Sequence, residues 1–128
     1  MARLIGDLRR RLDSILERFR SGERRGLVLT LLAVARLARR GEEITAESVA
    51  REASRIMDER PDVDWGVPRG GYTPALASSL LGELVEMGVL EPQGGAGRFR
   101  VAGYSDGDPL AEIYSRFGYL IFYGGPAR

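Results

Sequence analysis

Residues 73–101 read TPALASSLLGELVEMGVLEPQGGAGRFRV, and the fold turns on this stretch. Thr73 and Pro74 open a helix. The threonine hydroxyl satisfies an orphan backbone N–H, and proline at the first helical position has no N–H to lose. Apolar residues then recur three and four apart at Leu76, Leu80, Leu81, Leu84 and Met87, which makes one helix face core. Gly88 stops the helix. Val89-Leu90-Glu91-Pro92 follows, then a turn carrying Gly94, Gly95 and Gly97, then Arg98-Phe99-Arg100-Val101. In that last run apolar residues alternate with arginines, the period of a half-buried strand. The pattern predicts a helix over 74–88 and a β-hairpin over 89–102. The turn glycines are hairpin residues and not a phosphate-binding loop, because no lysine follows and no helix starts there.

Working back towards the N-terminus, residues 61–72 (PDVDWGVPRGGY) form a long irregular connection that holds the only tryptophan, Trp65. Trp65 either folds back over the core or stands out as an anchor for a partner. Before it, Thr45 caps a helix running to about Arg60, with Val49, Ala53, Ile56 and Met57 facing in. Glu47, Arg51, Glu52, Arg55 and Glu59 read as its solvated face. Glu43-Ile44-Thr45 is long enough for a very short strand. Residues 23–40 are apolar nearly all round and predict the central buried helix. In residues 4–19, Leu4, Leu8, Leu12, Ile15, Leu16 and Phe19 form one stripe. That stripe suits packing on its own domain, a dimerisation helix, or, less well, a membrane surface.

Towards the C-terminus, Asp108-Pro109 starts a short helix with Leu110, Ile113, Tyr114 and Phe117 on one face. Residues 119–123 (YLIFY) read as a buried strand or an intersubunit segment. Six of the ten aromatic residues lie between Tyr104 and Tyr123, and so much aromatic area has to be covered. The expected organisation is an amphipathic helix in residues 1–21, a mainly α domain with a small hairpin in 22–103, and a helix/strand extension in 104–128. A homodimer through Leu4–Phe19 and/or Leu110–Tyr123 is expected from the apolar surplus of the two ends.

Composition sets the functional limits. The 128 residues are 44% hydrophobic and 29% charged, with a net charge of +1. No apolar run approaches the length of a membrane span and no signal peptide is read, so a cytoplasmic protein without a membrane partner is expected. Cysteine and histidine are absent, which removes the usual nucleophile, general base and soft metal ligands. No enzyme activity, catalytic residue, metal or cofactor is therefore expected. All 19 basic residues are arginine, asparagine is absent and Gln93 is the only glutamine. This usage fits a thermophile, a GC-rich genome, or both.

Residues 24–101 resemble the winged helix-turn-helix superfamily. The run SLLGELVEMGVLEP at residues 79–92 is similar to the recognition-helix-to-wing passage of archaeal transcriptional regulators, and to the winged-helix domain of archaeal origin-binding replication initiators. The resemblance implies double-stranded DNA as partner, with the recognition helix in the major groove and the wing on the backbone or minor groove. It assigns DNA contacts to Arg69, Tyr72, Thr73, Ser78, Ser79, Arg98 and Arg100. The chain departs from the family pattern on that helix. Its outward residues are Ala75, Ser78, Ser79, Gly82, Glu83 and Glu86, none of them a strong reader of base edges. A transcriptional regulator or nucleoid-associated protein is one expectation; a winged-helix adaptor that binds protein is the other.

Overall fold

The computed structural model describes residues 4–95 and 97–122. In chain order these form α1 (Ile5–Arg20), α2 (Arg25–Arg39), α3 (Ala46–Glu59), α4 (Pro74–Met87), β1 (Leu90–Pro92), β2 (Phe99–Val101), α5 (Pro109–Phe117) and α6 (Tyr119–Phe122). The chain is mainly helical with one antiparallel hairpin, as the periodicity predicts. Among the described residues no helix is long and apolar enough to cross a membrane.

Helix α2 is the hub. Leu27 to Ala35 and Leu37 are all buried, and α1, α3, α4 and α5 each pack against it. It starts at Arg25, two residues later than its apolar pattern suggests, because Arg24 takes a left-handed conformation (φ 58°) as N-cap. The stripe of α1 is covered too: Ile5, Leu8, Leu12, Ile15 and Phe19 are all buried. Much of that cover comes from α5. The two helices run parallel, pinned by Arg9 to Glu112 at 2.9 Å and by Arg116 to Asp13 at 2.6 Å. The Asp106 carboxylate accepts from the Ile5 backbone N–H. At Gly107 the approach is so close that an added Cβ would sit 2.8 Å from Ile5 Cγ1. The apolar surplus that argues for a homodimer is thus largely buried within one chain, leaving Leu4, Tyr119 and Phe122 as its exposed large apolar residues. Tyr123 lies outside the described residues.

The C-terminal segment corrects the sequence reading. Residues 119–122 form a helical turn, not a strand. Gly118 stays right-handed (φ −59°), and Ile121 and Phe122 donate back to its carbonyl at 3.0 and 2.9 Å. Phe122 stacks on Tyr114 at 5.1 Å. The hairpin consists of β1 and β2 alone apart from the bridge to Ile44, so the ladder that a strand needs is absent here.

Trp65 covers the core. It is buried, its ring centroid lies 6.4 Å from that of Phe19, and its indole N–H donates to the Arg60 carbonyl at 3.2 Å. Arg60, also buried, donates to the Leu120 carbonyl at 2.7 Å and pairs with Asp62. The long connection after α3 is thereby tied to the C-terminal turn.

A second correction concerns α3. Glu52, expected on the solvated face, is 1% exposed. Arg36 reaches it at 2.8 Å, Arg40 at 2.6 Å and Arg55 at 3.3 Å. Burial pushes its carboxyl up, but the hydrogen bond from Arg40 and the charges of the arginines outweigh burial and hold it below the usual range. Arg36 also binds Glu59 through two hydrogen bonds, at 2.8 and 2.9 Å. Three arginine–carboxylate pairs, Arg36–Glu52, Arg40–Glu52 and Arg36–Glu59, therefore tie α2 and its C-cap to α3.

Candidate nucleic-acid interface

Helix α4 presents an uncharged surface at its N-terminal half. The Thr73 hydroxyl accepts from Leu76 N–H at 3.2 Å, so this side chain is engaged as the cap while remaining exposed. Pro74, Ala75, Ser78, Ser79 and Gly82 are also exposed, whereas Ala77, Leu80, Leu81 and Leu84 are buried. The helix ends at Gly88 (φ 88°), where Val89 N–H donates to the Leu84 carbonyl at 3.0 Å. That closure turns the chain into β1. The hairpin pairs Leu90 with Val101, Glu91 with Arg100 and Pro92 with Phe99. Its turn is closed by Gln93 N–H to the Arg98 carbonyl at 2.9 Å. The expected short strand at 43–45 reduces to one bridge: Phe99 N–H donates to the Ile44 carbonyl at 3.0 Å. This bridge seats the hairpin beside the start of α3.

Of the residues assigned to DNA contact, Ser78, Ser79, Thr73, Arg69, Arg98 and Arg100 are exposed. Tyr72 is not. It is 4% exposed, with its hydroxyl 2.5 Å from that of Thr30. Thr30 gives its own proton to the Gly26 carbonyl at 2.8 Å, so Tyr72 is the donor in that pair. Burial pushes the phenol up to about 12. Tyr72 is a core residue, and its apparent place at the head of α4 comes from the chain turning inward just before the cap.

Each of the three arginines is already paired. Arg69 meets Asp58 at 2.6 Å, Arg100 meets its cross-strand neighbour Glu91 at 2.7 Å, and Arg98 lies 3.7 Å from Glu43. Five of the six side chains are well exposed and Glu91 is partly exposed, so these pairs are individually weak and open to competition. The Glu83 carboxylate of α4 faces elsewhere. Glu83 is bound by Arg24, and Arg11 on α1 donates to the Glu86 carbonyl at 2.9 Å. Of the α1 arginines, Arg11 reaches the C-terminal half of α4, while Arg9 pairs with Glu112 on α5.

Sequence reasoning missed a groove between α3 and the start of α4. Glu47, Ala50, Arg51, Ser54, Arg55 and Asp58 line it on one side, with Tyr72 and Pro74 on the other. Arg51 is exposed and, among the described residues, has no carboxylate partner. Its i,i+4 neighbours Glu47 and Arg55 hide it in the sequence, where it reads as one more member of a solvated charge ladder. Only the packing of α3 on α4 brings it beside the uncharged helix face.

The described residues hold no group of acidic side chains able to bind a metal ion. Comparison of the chain with protein-family models, with characterised proteins and with solved structures finds no match.

Proposed function

We propose that this chain is a winged-helix module that binds duplex DNA, of transcriptional-regulator or nucleoid-associated type. The observation that carries the reading is the seating of the hairpin. It follows α4 directly, and Phe99 bridges to Ile44 just ahead of α3. Helix α4, with a small and uncharged N-terminal face, has Arg51 in the groove at its start and leads into the hairpin that carries Arg98 and Arg100. Small residues permit close approach to a duplex, and Ser78 and Ser79 supply hydroxyls to phosphates or base edges. Arg51, Arg69, Arg98 and Arg100 supply phosphate contacts.

Fluorescence anisotropy with random-sequence duplex at several salt concentrations tests it. About four phosphate contacts per chain predict a log–log salt slope of about −3.6. Replacing Arg98 and Arg100 together by alanine weakens binding to all duplexes alike and removes about half of that slope. Replacing Ser78 or Ser79 changes preference among sequences instead. A parent protein that does not bind duplex at low salt overturns the reading.

A second reading, a winged-helix adaptor that binds protein, draws support from a specific observation. The outer face of α4 lacks the arginine, asparagine or glutamine that reads bases, and the three expected arginines already have carboxylate partners. That reading leads if DNA binding fails.

A further inference from the structure

We propose that Glu43, Asp58 and Glu91 are built-in competitors of DNA phosphate that set the affinity of this surface. The inference rests on the DNA-binding reading above. Each of the three arginines assigned to phosphate contact is held by a carboxylate from a neighbouring segment. Asp58, near the end of α3, takes Arg69; Glu91 on β1 takes Arg100; Glu43, ahead of α3, takes Arg98. The distances of 2.6 and 2.7 Å are those of direct charge-assisted hydrogen bonds, and 3.7 Å is an ion pair without one.

These pairs differ from the arginine–carboxylate contacts that hold the fold. Glu52 is buried among three arginines and ties α3 to α2. The competitors reach solvent: the side chains of Asp58 and Glu43 are 65% and 68% exposed, and that of Glu91 is 36% exposed. An exposed pair adds little to folding, so a phosphate displaces the carboxylate readily. The displaced carboxylate remains on the same surface, however, where it repels the phosphate that replaced it. Each of the three arginines is thus locally neutralised before DNA arrives. Arg51 is the cation there without a competitor among the described residues. DNA affinity is thus held low by design of the surface, and anything that neutralises the three carboxylates raises it.

The test uses the 128-residue chain with Glu43→Gln, Asp58→Asn and Glu91→Gln, singly and combined. Anisotropy is read with one random 20-base-pair duplex at low salt and across a salt series. An exposed ion pair shifts an equilibrium by up to about fivefold. Each single variant is expected to tighten binding by about two- to fivefold and the triple variant by at least about tenfold. The same charge change at Glu17 and Glu23, exposed residues at the far end of α1 and just after it, is expected to leave affinity within about twofold. If the parent binds and the triple variant binds no tighter, the carboxylates are not competitors and the inference falls while the DNA reading stands. If Glu17 and Glu23 changes tighten binding as much, the effect is net charge alone and the inference again falls. Failure of both parent and triple variant to bind overturns the DNA reading itself. Thermal melts keep folding separate: the exposed pairs predict variants that melt within a few degrees of the parent.

Discussion

Two side chains show how far a residue's role departs from its type. Glu52 is a charged residue on a helix with a solvated outer face, yet it is the most enclosed carboxylate described, because Arg36 in the last turn of α2 and Arg40 at its C-cap close over it. Glu52→Gln keeps the shape and removes the charge, leaving arginines facing a neutral amide. A loss of about 2 kcal/mol is expected, below the full cost for a deeply buried pair because the arginines are partly hydrated. Its folded carboxyl titrates below the unfolded value, so its stabilisation is complete above about pH 4.3 and disappears as pH falls below that. Chemical denaturation between pH 6 and 3 should therefore show a shallower acid dependence in Glu52→Gln. It will not vanish, because Glu59 and Glu112 are also held low by arginines. Tyr72 behaves oppositely. Its folded phenol, pushed up to about 12, keeps its proton where an unfolded tyrosine has lost it. The stability it contributes is complete below about pH 10 and is lost as pH rises towards 12. Tyr72→Phe should cost about 1 kcal/mol at neutral pH, reduce alkaline sensitivity and leave DNA affinity unchanged. Reduced affinity in a folded Tyr72→Phe protein would return the residue to the interface.

At the scale of elements, α4 and the hairpin act as one unit whose geometry is set at its two ends. Thr73 and Pro74 fix where α4 begins, and Gly88 fixes the direction in which the chain leaves it. An L-residue in the left-handed conformation of Gly88 costs about 1 kcal/mol or more. Gly88→Ala is expected to lower the melting temperature by several degrees and, by tilting β1, to disturb the Phe99–Ile44 bridge. Hydrogen exchange at the Phe99 amide reads that directly. Thr73→Ala removes only the cap, with an expected cost of about 1 kcal/mol and no change at Phe99. Equal exchange in both variants would show that the turn does not steer the hairpin.

Across the whole molecule the two ends of the chain close the same core. Helices α1 and α5 pack in parallel, share two cross-helix ion pairs and cover one side of α2. Removing residues 1–21 would expose the apolar faces of α2 and α5 that α1 covers. At about 25 cal/mol per Å², uncovering several large side chains approaches the whole stability of a domain this size. The truncated chain is expected to lose cooperative unfolding by circular dichroism and to aggregate. A shortened chain that stays folded and melts cooperatively would mean that α1 is an accessory to the fold.

Local chemistry was enough to determine the helix periods, the Thr73-Pro74 start, the Gly88 stop, the Asp108-Pro109 start and the alternation of the hairpin. Each depends on residues within one or two turns of chain, where spacing and backbone preference act directly. Ser78 and Ser79 on the outer face of α4 were legible for the same reason. What a side chain meets across the core was not legible. Neither the enclosure of Glu52 by α2, the inward turn of Tyr72 onto Thr30, the mutual burial of the two ends nor the helical turn at 119–122 has a local signal. The carboxylate partners of Arg69 and Arg98 and the opening around Arg51 belong to the same group. They arise where separate elements meet, and desolvation and charge pairing there depend on three-dimensional neighbours that residue spacing does not encode.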